Sequence, residues 1–315
     1  MKINAIILAG GKGTRLRPLT NDIPKPMLKI ANKPVLSRVI DWLCEYPINE
    51  ITLTAGYKSE VIENYVNNHA RPLNLVTENQ PLGTAGAVKN AQNHLSETFI
   101  VASGDALTDL DIDKMLKFHR ESGRAVTLAV TAVENPTLYG VVNYDKSGLV
   151  TQFVEKPDTN RYGNCVNTGI YIIEKRALDL IPSKTEYDFS RDLFPKLLRQ
   201  NEINAYRHNG YWCDIGDKTS FYNACFYYKT SGKNQNLLGE NAKNYGVAKN
   251  CIVGNNATIL PNSTLKNCIL LDGATAYGER ENEIIGNDFA LKIEKNDKKA
   301  QVYPKKLNII PISRP

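Results

Sequence analysis

Leu8-Ala9-Gly10-Gly11-Lys12-Gly13-Thr14-Arg15-Leu16-Arg17-Pro18 follows directly on an apolar run, Ile3 to Leu8, and its reading decides the rest of the chain. The run is short and isoleucine-rich, as a buried strand requires. Three glycines then let backbone N–H groups come close to an anion. Lys12, Arg15, Arg17 and Lys25 bring positive charge to the same loop, which makes it a grip for a triphosphate. Two familiar phosphate loops fail at definite positions. A Walker loop needs Gly-Lys-Ser/Thr, which does not occur here, and the dinucleotide fingerprint needs a third glycine where Leu16 stands.

The 315 residues suffice for one large α/β domain and a smaller unit, and 42% hydrophobic residues can furnish the core. A net charge of +6 is modest, and the lysines are scattered, so a phosphate-handling cleft accounts for it and no nucleic-acid partner is expected. No apolar run approaches the roughly 20 residues of a membrane span, and the first strand starts too early for a signal peptide. A cytoplasmic protein without a membrane partner is expected. Cys44, Cys165, Cys213, Cys225, Cys251 and Cys268 are widely spaced and contain no Cys-x-x-Cys pair, so they are read as reduced thiols.

Apolar runs alternate with helical patterns through the first half. Val35, Leu36, Val39, Ile40 and Leu43 mark one helix face, and Ile51 to Ala55 reads as a strand. A helix from about Ser59, a strand near Leu73 to Val76, a helix from Thr84 and a strand at Phe99 to Ala102 follow. Such β-α units predict a Rossmann-like, mainly parallel sheet with helices on both faces. Ligands of these sheets sit beyond the carboxyl ends of the strands, where the glycine loop and Asp105 both fall. Strand patterns dominate from Ala125 to Ile173, suggesting a β-rich region inserted beside the sheet, and helices near Phe189–Arg199 and Lys218–Thr230 close the domain near residue 235.

A different period then takes over: Val247, Val253, Ile259, Leu265 and Leu271 lie six apart, with Gly, Asn, Pro and Ser between them. This hexapeptide repeat predicts a short left-handed parallel β-helix over residues 236–278. Five positions amount to fewer than two coils, so its ends must be covered by the domain of residues 1–235 or by another subunit, and a structural or homo-oligomeric use is expected. Residues 279–315 form a charged extension to which the sequence assigns no role.

A triphosphate on the glycine loop calls for a divalent cation held by hard oxygen ligands at strand ends. Asp105 in Ala102-Ser103-Gly104-Asp105 and Asp214 in Gly210-Tyr211-Trp212-Cys213-Asp214-Ile215-Gly216 supply the candidates.

With Lys25-Pro26, the glycine loop resembles the signature of the sugar-phosphate nucleotidyltransferases, and five motifs over about residues 1–235 occur in the family's order. The resemblance implies the nucleotide-diphospho-sugar transferase fold and a reaction between a nucleoside triphosphate and a sugar 1-phosphate with Mg²⁺ on Asp105 and Asp214. It implies nucleotide contacts from Leu8, Ala9, Gly10, Gly11, Gly13, Thr14, Arg15, Lys25, Glu78, Pro81, Gly83, Thr84 and Gly104. Lys156 in Glu155-Lys156-Pro157 would bind the sugar phosphate. Glu155, Asn167, Thr168 and the backbone at Gly140 would meet sugar hydroxyls. A point charge for phosphate and short polar groups for hydroxyls suit that task on chemistry alone. Arg15, Lys25, Asp105, Lys156 and Asp214 are the expected catalytic set.

Glu78, in Thr77-Glu78-Asn79-Gln80-Pro81-Leu82-Gly83-Thr84, bears on the base. Uridylyl and thymidylyl members resembling this chain carry a glutamine there, whose amide donates and accepts. A carboxylate only accepts, which suits the adjacent N1–H and N2–H₂ donors of guanine. The Pro81-Leu82-Gly83-Thr84-Ala85-Gly86 loop is similar to that of mannose-1-phosphate guanylyltransferases, so GTP and mannose 1-phosphate are the expected substrates. UDP- or dTDP-glucose formation, and a catalytically silent regulatory subunit, are the competing expectations.

Overall fold

The computed structural model of the chain describes residues 3–230 and 235–294. In chain order it contains β1 (Ile3–Leu8), β2 (Lys29–Ile30), β3 (Lys33–Pro34), α1 (Val35–Cys44), β4 (Ile48–Ala55), α2 (Ser59–Asn67) and β5 (Asn74–Thr77). Then come α3 (Gly83–Asn90), β6 (Thr98–Ser103), β7 (Ala106–Thr108), α4 (Ile112–Ser122) and β8 (Val126–Ala132). The series continues through β9 (Gly140–Tyr144), β10 (Val150–Glu155), β11 (Cys165–Glu174), α5 (Phe194–Arg199), β12 (Ile203–Arg207), β13 (Trp212–Asp214) and α6 (Lys218–Tyr227). Two compact units divide these elements: one holds residues 3–12 and Leu36–Asp214, the other Gly13–Val35 and the described residues from 215 to 294.

The first unit is built on a mixed sheet in the order β10-β9-β11-β6-β1-β4-β5, with β8 and β12 joined through β11. β1 pairs in parallel with both β4 and β6, and Ala5, Ile6 and Ile7 are completely buried. A central parallel strand is covered on both faces, so its sequence is continuously apolar rather than alternating. The predicted face of α1 is the buried one, with Val35, Leu36, Val39, Ile40 and Leu43 all inaccessible. α4 starts where Asp111 accepts the Lys114 N–H at 3.0 Å and stops at Gly123, whose φ of 66° a side chain would resist.

The strand-rich stretch from Ala125 to Ile173 is not an insertion beside the sheet. β11 lies antiparallel to β6, Tyr171 opposite Val101, and thereby carries β8 and β9 into the same sheet. The apolar pattern of these strands could not reveal this, because an antiparallel strand at the centre of a sheet is as uniformly buried as its parallel neighbours.

In the second unit, strands of two or three residues stack in three parallel sheets as a β-helix. Leu237, Ile252, Ile269 and Ile284 stack in register, so successive coils take 15, 17 and 15 residues. A strict hexapeptide repeat needs 18. The corners are shortened by asparagines in the left-handed conformation, including Asn250, Asn256, Asn262 and Asn267. Asn250 Nδ2–H donates to Asn267 Oδ1 at 2.7 Å, and Asn267 Nδ2–H to Asn282 Oδ1 at 3.1 Å, so one corner carries an amide ladder along the stack.

Shortened corners also shift the expected core. Val253, Ile259 and Leu265 are buried, whereas Val247 is 66% exposed and Leu270 takes the inward place expected for Leu271. The stack does not end at Gly278: Glu279–Glu281 pairs on Thr264–Lys266, Glu283–Ile285 pairs on Ile269–Leu270, and Ala290–Lys292 turns back antiparallel. The extension past 278 therefore completes the β-helix, and residues 295–315 of it lie outside the described residues. Among the described residues no helix is long and apolar enough to cross a membrane.

Candidate active site

The parallel strands of the first unit deliver their carboxyl ends to one edge. The Ala9 N–H bonds to Thr54 O at 2.9 Å, the Glu78 N–H to Ala55 O at 2.9 Å and the Gly104 N–H to Leu8 O at 2.9 Å. Leu8 and Ala9 are thus knitted to the ends of β6 and β4. A Cβ on Gly104 would stand 2.9 Å from Leu8 O, so the strand-to-turn junction before Asp105 admits only glycine without displacement.

Glu78 is the anionic member of this edge. A Cβ on Gly10 would lie 3.8 Å from Glu78 Oε1, and one on Gly56 would lie 4.0 Å from Oε2, so two glycine backbones flank the carboxylate. Oε2 accepts the Leu82 N–H at 3.1 Å, which fixes the group. Partial burial raises its pKa, only partly opposed by the Leu82 hydrogen bond. A half-buried carboxylate with acceptor capacity left over suits a ligand edge that presents two donors.

The following loop is tied to the residues around Tyr187. Ala85 N–H and Gly86 N–H both donate to Tyr187 O at 2.9 Å, and a Cβ on Gly83 would stand 2.6 Å from that oxygen. The Thr84 hydroxyl donates to Asp188 Oδ2 at 2.8 Å and accepts the Phe189 N–H. These contacts give Gly83, Thr84 and Gly86 a packing duty at the start of α3, and Pro81 is exposed just before it.

The two candidate metal-binding aspartates, 109 positions apart in sequence, are brought together by a two-stranded ribbon. β7 and β13 pair antiparallel, with Asp214 opposite Ala106, the neighbour of Asp105. Ser103 Oγ–H donates to Asp105 Oδ1, which orients that carboxylate. Among the described residues no cluster of three or more His, Cys, Asp or Glu side chains forms a closed metal cage. Two carboxylates on one ribbon fit a hard cation that completes its shell with substrate phosphate oxygens.

On the other side of the sheet, Gly140 faces Glu155 across the β9–β10 pair. A Cβ there would stand 2.6 Å from Phe153 Cζ and 2.9 Å from Glu155 Oε2. Lys156 follows with φ 43°, its N–H bonded to Tyr139 O at 3.0 Å, its ammonium 3.4 Å from Glu155 Oε1 and 63% exposed. β11 breaks register between Asn167 and Tyr171. In that bulge Asn167 Oδ1 accepts the Gly169 N–H at 3.1 Å and Asn167 Nδ2–H donates to Tyr171 OH at 2.9 Å. Thr168 is buried with its hydroxyl donating to Ala129 O at 2.8 Å, so it holds the bulge. Trp212 links the two regions, donating from Nε1 to Thr168 O at 3.0 Å and meeting Tyr139 edge-on at 5.4 Å.

The remaining predicted residues belong to the second unit. Gly13 has φ 61°, and a Cβ there would lie 3.0 Å from Lys25 Cβ and 3.1 Å from Thr20 Cγ2. Thr20 Oγ1–H donates to Gly13 O at 2.8 Å, and buried Leu16 and Leu19 anchor the turn. Lys25 is buried with its stem against Gly13, whereas Thr14, Arg15 and Arg17 are exposed. The glycine loop runs from one unit into the other across the Lys12–Gly13 peptide bond.

Sequence reasoning missed Ser103, Gly56, Asp109 and His208. The first two occupy strand ends and differ in no way from ordinary turn residues. Asp109 and His208 are partners 99 positions apart, a pairing with no local signal.

The nucleotidyl transferase family model matches residues 4–231. The mannose-1-phosphate guanylyltransferase catalytic subunit beta of Drosophila pseudoobscura pseudoobscura is 36% identical over 81% of this chain and 70% of its own length. The protein of the same name from Drosophila melanogaster is 37% identical over 72% of this chain and 63% of its own length. The chain thus spans roughly two thirds of the length of these curated relatives. Among solved structures, HddC from Yersinia pseudotuberculosis is 31% identical with a TM-score of 0.63, over 72% of this chain and all of that one. The same protein complexed with GMP-PN gives a TM-score of 0.62. With the family model covering most of the chain, this chain belongs to the nucleotidyl transferase family.

Proposed function

We propose that this protein transfers a guanylyl group from GTP to mannose 1-phosphate, releasing pyrophosphate and forming GDP-mannose. The observation that carries the choice of base is Glu78, a half-buried carboxylate flanked by Gly10 and Gly56 whose Oε2 accepts the Leu82 N–H. Relatives named mannose-1-phosphate guanylyltransferase support the sugar, and the neighbour complexed with GMP-PN supports a guanine nucleotide.

A sugar-phosphate oxygen attacks the α-phosphorus in line; the new O–P bond forms as the bond to the β-phosphate oxygen breaks and pyrophosphate leaves. The second phosphate pKa is about 6, so the nucleophile is already mostly a dianion at neutral pH and needs no general base. Catalysis consists of alignment and charge neutralisation. Arg15 and the amides of Gly10, Gly11 and Gly13 hold the β- and γ-phosphates, Lys25 meets the α-phosphate, and Lys156 holds the attacking phosphate. Asn167, Glu155 and the Gly140 backbone orient the sugar. Asp105 and Asp214 would hold Mg²⁺, which would supply charge neutralisation to the phosphates.

Six cysteine thiols outside any disulfide support a reducing, cytoplasmic setting for this chemistry. Tyr245, Leu260 and Tyr277 follow one another on successive coils of the β-helix, 60%, 38% and 65% exposed, and this apolar ridge supports contact between copies of the chain.

The test is pyrophosphate release with Mg²⁺ across GTP, UTP, dTTP, CTP and ATP, each with mannose 1-phosphate and glucose 1-phosphate. GTP-selective turnover of mannose 1-phosphate is expected. Turnover with UTP or dTTP but not GTP would overturn the base assignment, and binding without pyrophosphate release would make the chain a silent regulatory relative.

A further inference from the structure

We infer that Asp109 and His208 form a clasp that positions the metal-binding carboxylates of Asp105 and Asp214, an inference that rests on the reading of those two aspartates given above. The clasp closes one end of the β7–β13 ribbon and the two aspartates occupy the other. The ribbon has three register pairs, Trp212 with Thr108, Cys213 with Leu107 and Asp214 with Ala106, the last of which holds one of the two aspartates.

At the closed end, the Tyr211 backbone is gripped on both sides. Its N–H donates to Asp109 Oδ1 at 2.7 Å. Its carbonyl oxygen accepts the Asp109 N–H at 3.2 Å and the Thr108 hydroxyl at 3.1 Å. His208 Nε2 stands 3.0 Å from Asp109 Oδ1 and 3.0 Å from Tyr211 O. Both of these partners are acceptors, so Nε2 carries the proton and joins them.

Two further observations show that the approach is built. His208 is buried, and its own N–H donates to Val130 O at 2.8 Å, which ties the clasp to the end of β8. A Cβ on Gly210 would run into Asp109 Oδ1 and stand 2.6 Å from His208 Cε1, so the residue between histidine and ribbon leaves room for the carboxylate–imidazole contact. A ribbon of three pairs has little stiffness of its own. Fixing Tyr211 sets where β13 begins, and with it the place of Asp214 beside Asp105.

His208→Leu removes the shared proton donor, and His208→Gln returns an N–H near the position of Nε2. Asp109→Asn leaves His208 in place but removes the charge; because Asp109 is 59% exposed, that variant tests the clasp even where His208→Leu does not fold. The probe is terbium(III), a hard cation that takes oxygen ligands and emits when excited through a nearby indole; Trp212 lies two residues from Asp214. Asp214→Asn must abolish the sensitised emission for the aspartates to be the cation site at all, and failure of that control overturns the metal-site reading rather than the clasp.

Where the control holds, His208→Leu and Asp109→Asn are expected to weaken terbium binding about tenfold, the usual scale for residues that orient ligands without touching the ion. The Mg²⁺ requirement of pyrophosphate release should rise in parallel, KM for the sugar phosphate should stay unchanged, and His208→Gln should recover most of the loss. Terbium affinity within twofold of the parent in both variants would overturn the inference. So would an equal loss in His208→Leu and His208→Gln.

Discussion

Replacing Glu78 by glutamine is the sharpest test of base recognition. Oε2 of Glu78 already accepts the Leu82 N–H, leaving Oε1 and the second lone pair of Oε2 to meet a ligand. Glutamine has one oxygen, and with that oxygen on Leu82 its NH₂ group opposes the guanine N1–H and N2–H₂ donors. A hydrogen bond to a charged group contributes about 1.5–3 kcal/mol, so losing the carboxylate should lower kcat/KM for GTP roughly 10- to 150-fold. UTP and dTTP turnover should fall far less, because a neutral amide matches their N3–H and carbonyl edge. The assay is pyrophosphate release at subsaturating triphosphate. The pH dependence has a fixed sign: burial raises the Glu78 pKa, so the carboxyl is protonated at a higher pH than an ordinary one. The ratio of GTP to UTP turnover should therefore fall as pH drops toward that raised value in the parent, and stay flat in Glu78→Gln. Taking the ratio cancels the titration of the sugar phosphate itself. Unchanged GTP preference in Glu78→Gln would refute the reasoning.

Arg15→Ala and Asp105→Asn should each lower turnover about a hundredfold, the scale of one lost charge-assisted contact to the transition state, as read by pyrophosphate release. Gly140→Ala places a methyl 2.6 Å from Phe153 Cζ and 2.9 Å from Glu155 Oε2; it should cost about 1–3 kcal/mol by denaturant unfolding and raise KM for the sugar phosphate. His119 is buried against Thr127 and Glu174, and burial lowers its pKa despite the Glu174 hydrogen bond. The unfolded chain then takes up the proton first as pH falls, so stability should decline below the ordinary histidine pKa of about 6.5, with a shallower decline in His119→Asn, measured as Tm against pH. Asn267→Ala removes both amide contacts of the β-helix ladder at a residue with φ 51° and should cost about 2 kcal/mol, read from the denaturant midpoint.

What the sequence made legible was what local chemistry encodes. The isoleucine run of β1, the apolar stripe of α1 and the glycine turn at Gly10–Gly13 have periods or compositions that permit few alternatives, and each element lies where its pattern puts it. Asp105 and Asp214 were legible as separate motifs. Their pairing came from the family resemblance and not from local pattern, because it depends on a ribbon whose strands are three residues long and lie about a hundred positions apart. Thr168 shows what composition leaves out: a short polar residue beside Asn167 looks like a hydroxyl ligand, and its hydroxyl donates to Ala129 O. The β-helix was legible as a class from its six-residue spacing, while its coil length was not. Left-handed asparagines shorten the corners, and nothing in an apolar period reports backbone φ.

The antiparallel entry of β11 would let one sheet edge serve both substrates of the proposed reaction. Parallel strands present their carboxyl ends on a single edge, and β1, β4, β5 and β6 use that edge for Gly10, Gly56, Glu78 and the Gly104–Asp105 turn. A further parallel strand would have brought another carboxyl end and another loop of the same kind. β11 instead runs the other way, so its amino-terminal half meets the same edge: with Tyr171 opposite Val101, the bulge at Asn167–Gly169 lies beyond the end of β6, and a Cβ on Gly169 would be 3.4 Å from Ser103 Cβ. Ser103 in turn orients Asp105. The bulge proposed to meet the sugar and the carboxylate proposed to hold the cation are therefore one contact apart, and Trp212, bonded to Thr168 O from the strand that carries Asp214, closes the same circuit from the other side. On the proposed function, reversal of one strand brings the groups assigned to the sugar and the Asp105 turn assigned to the cation to a common edge, which is the arrangement that an in-line transfer without a general base demands.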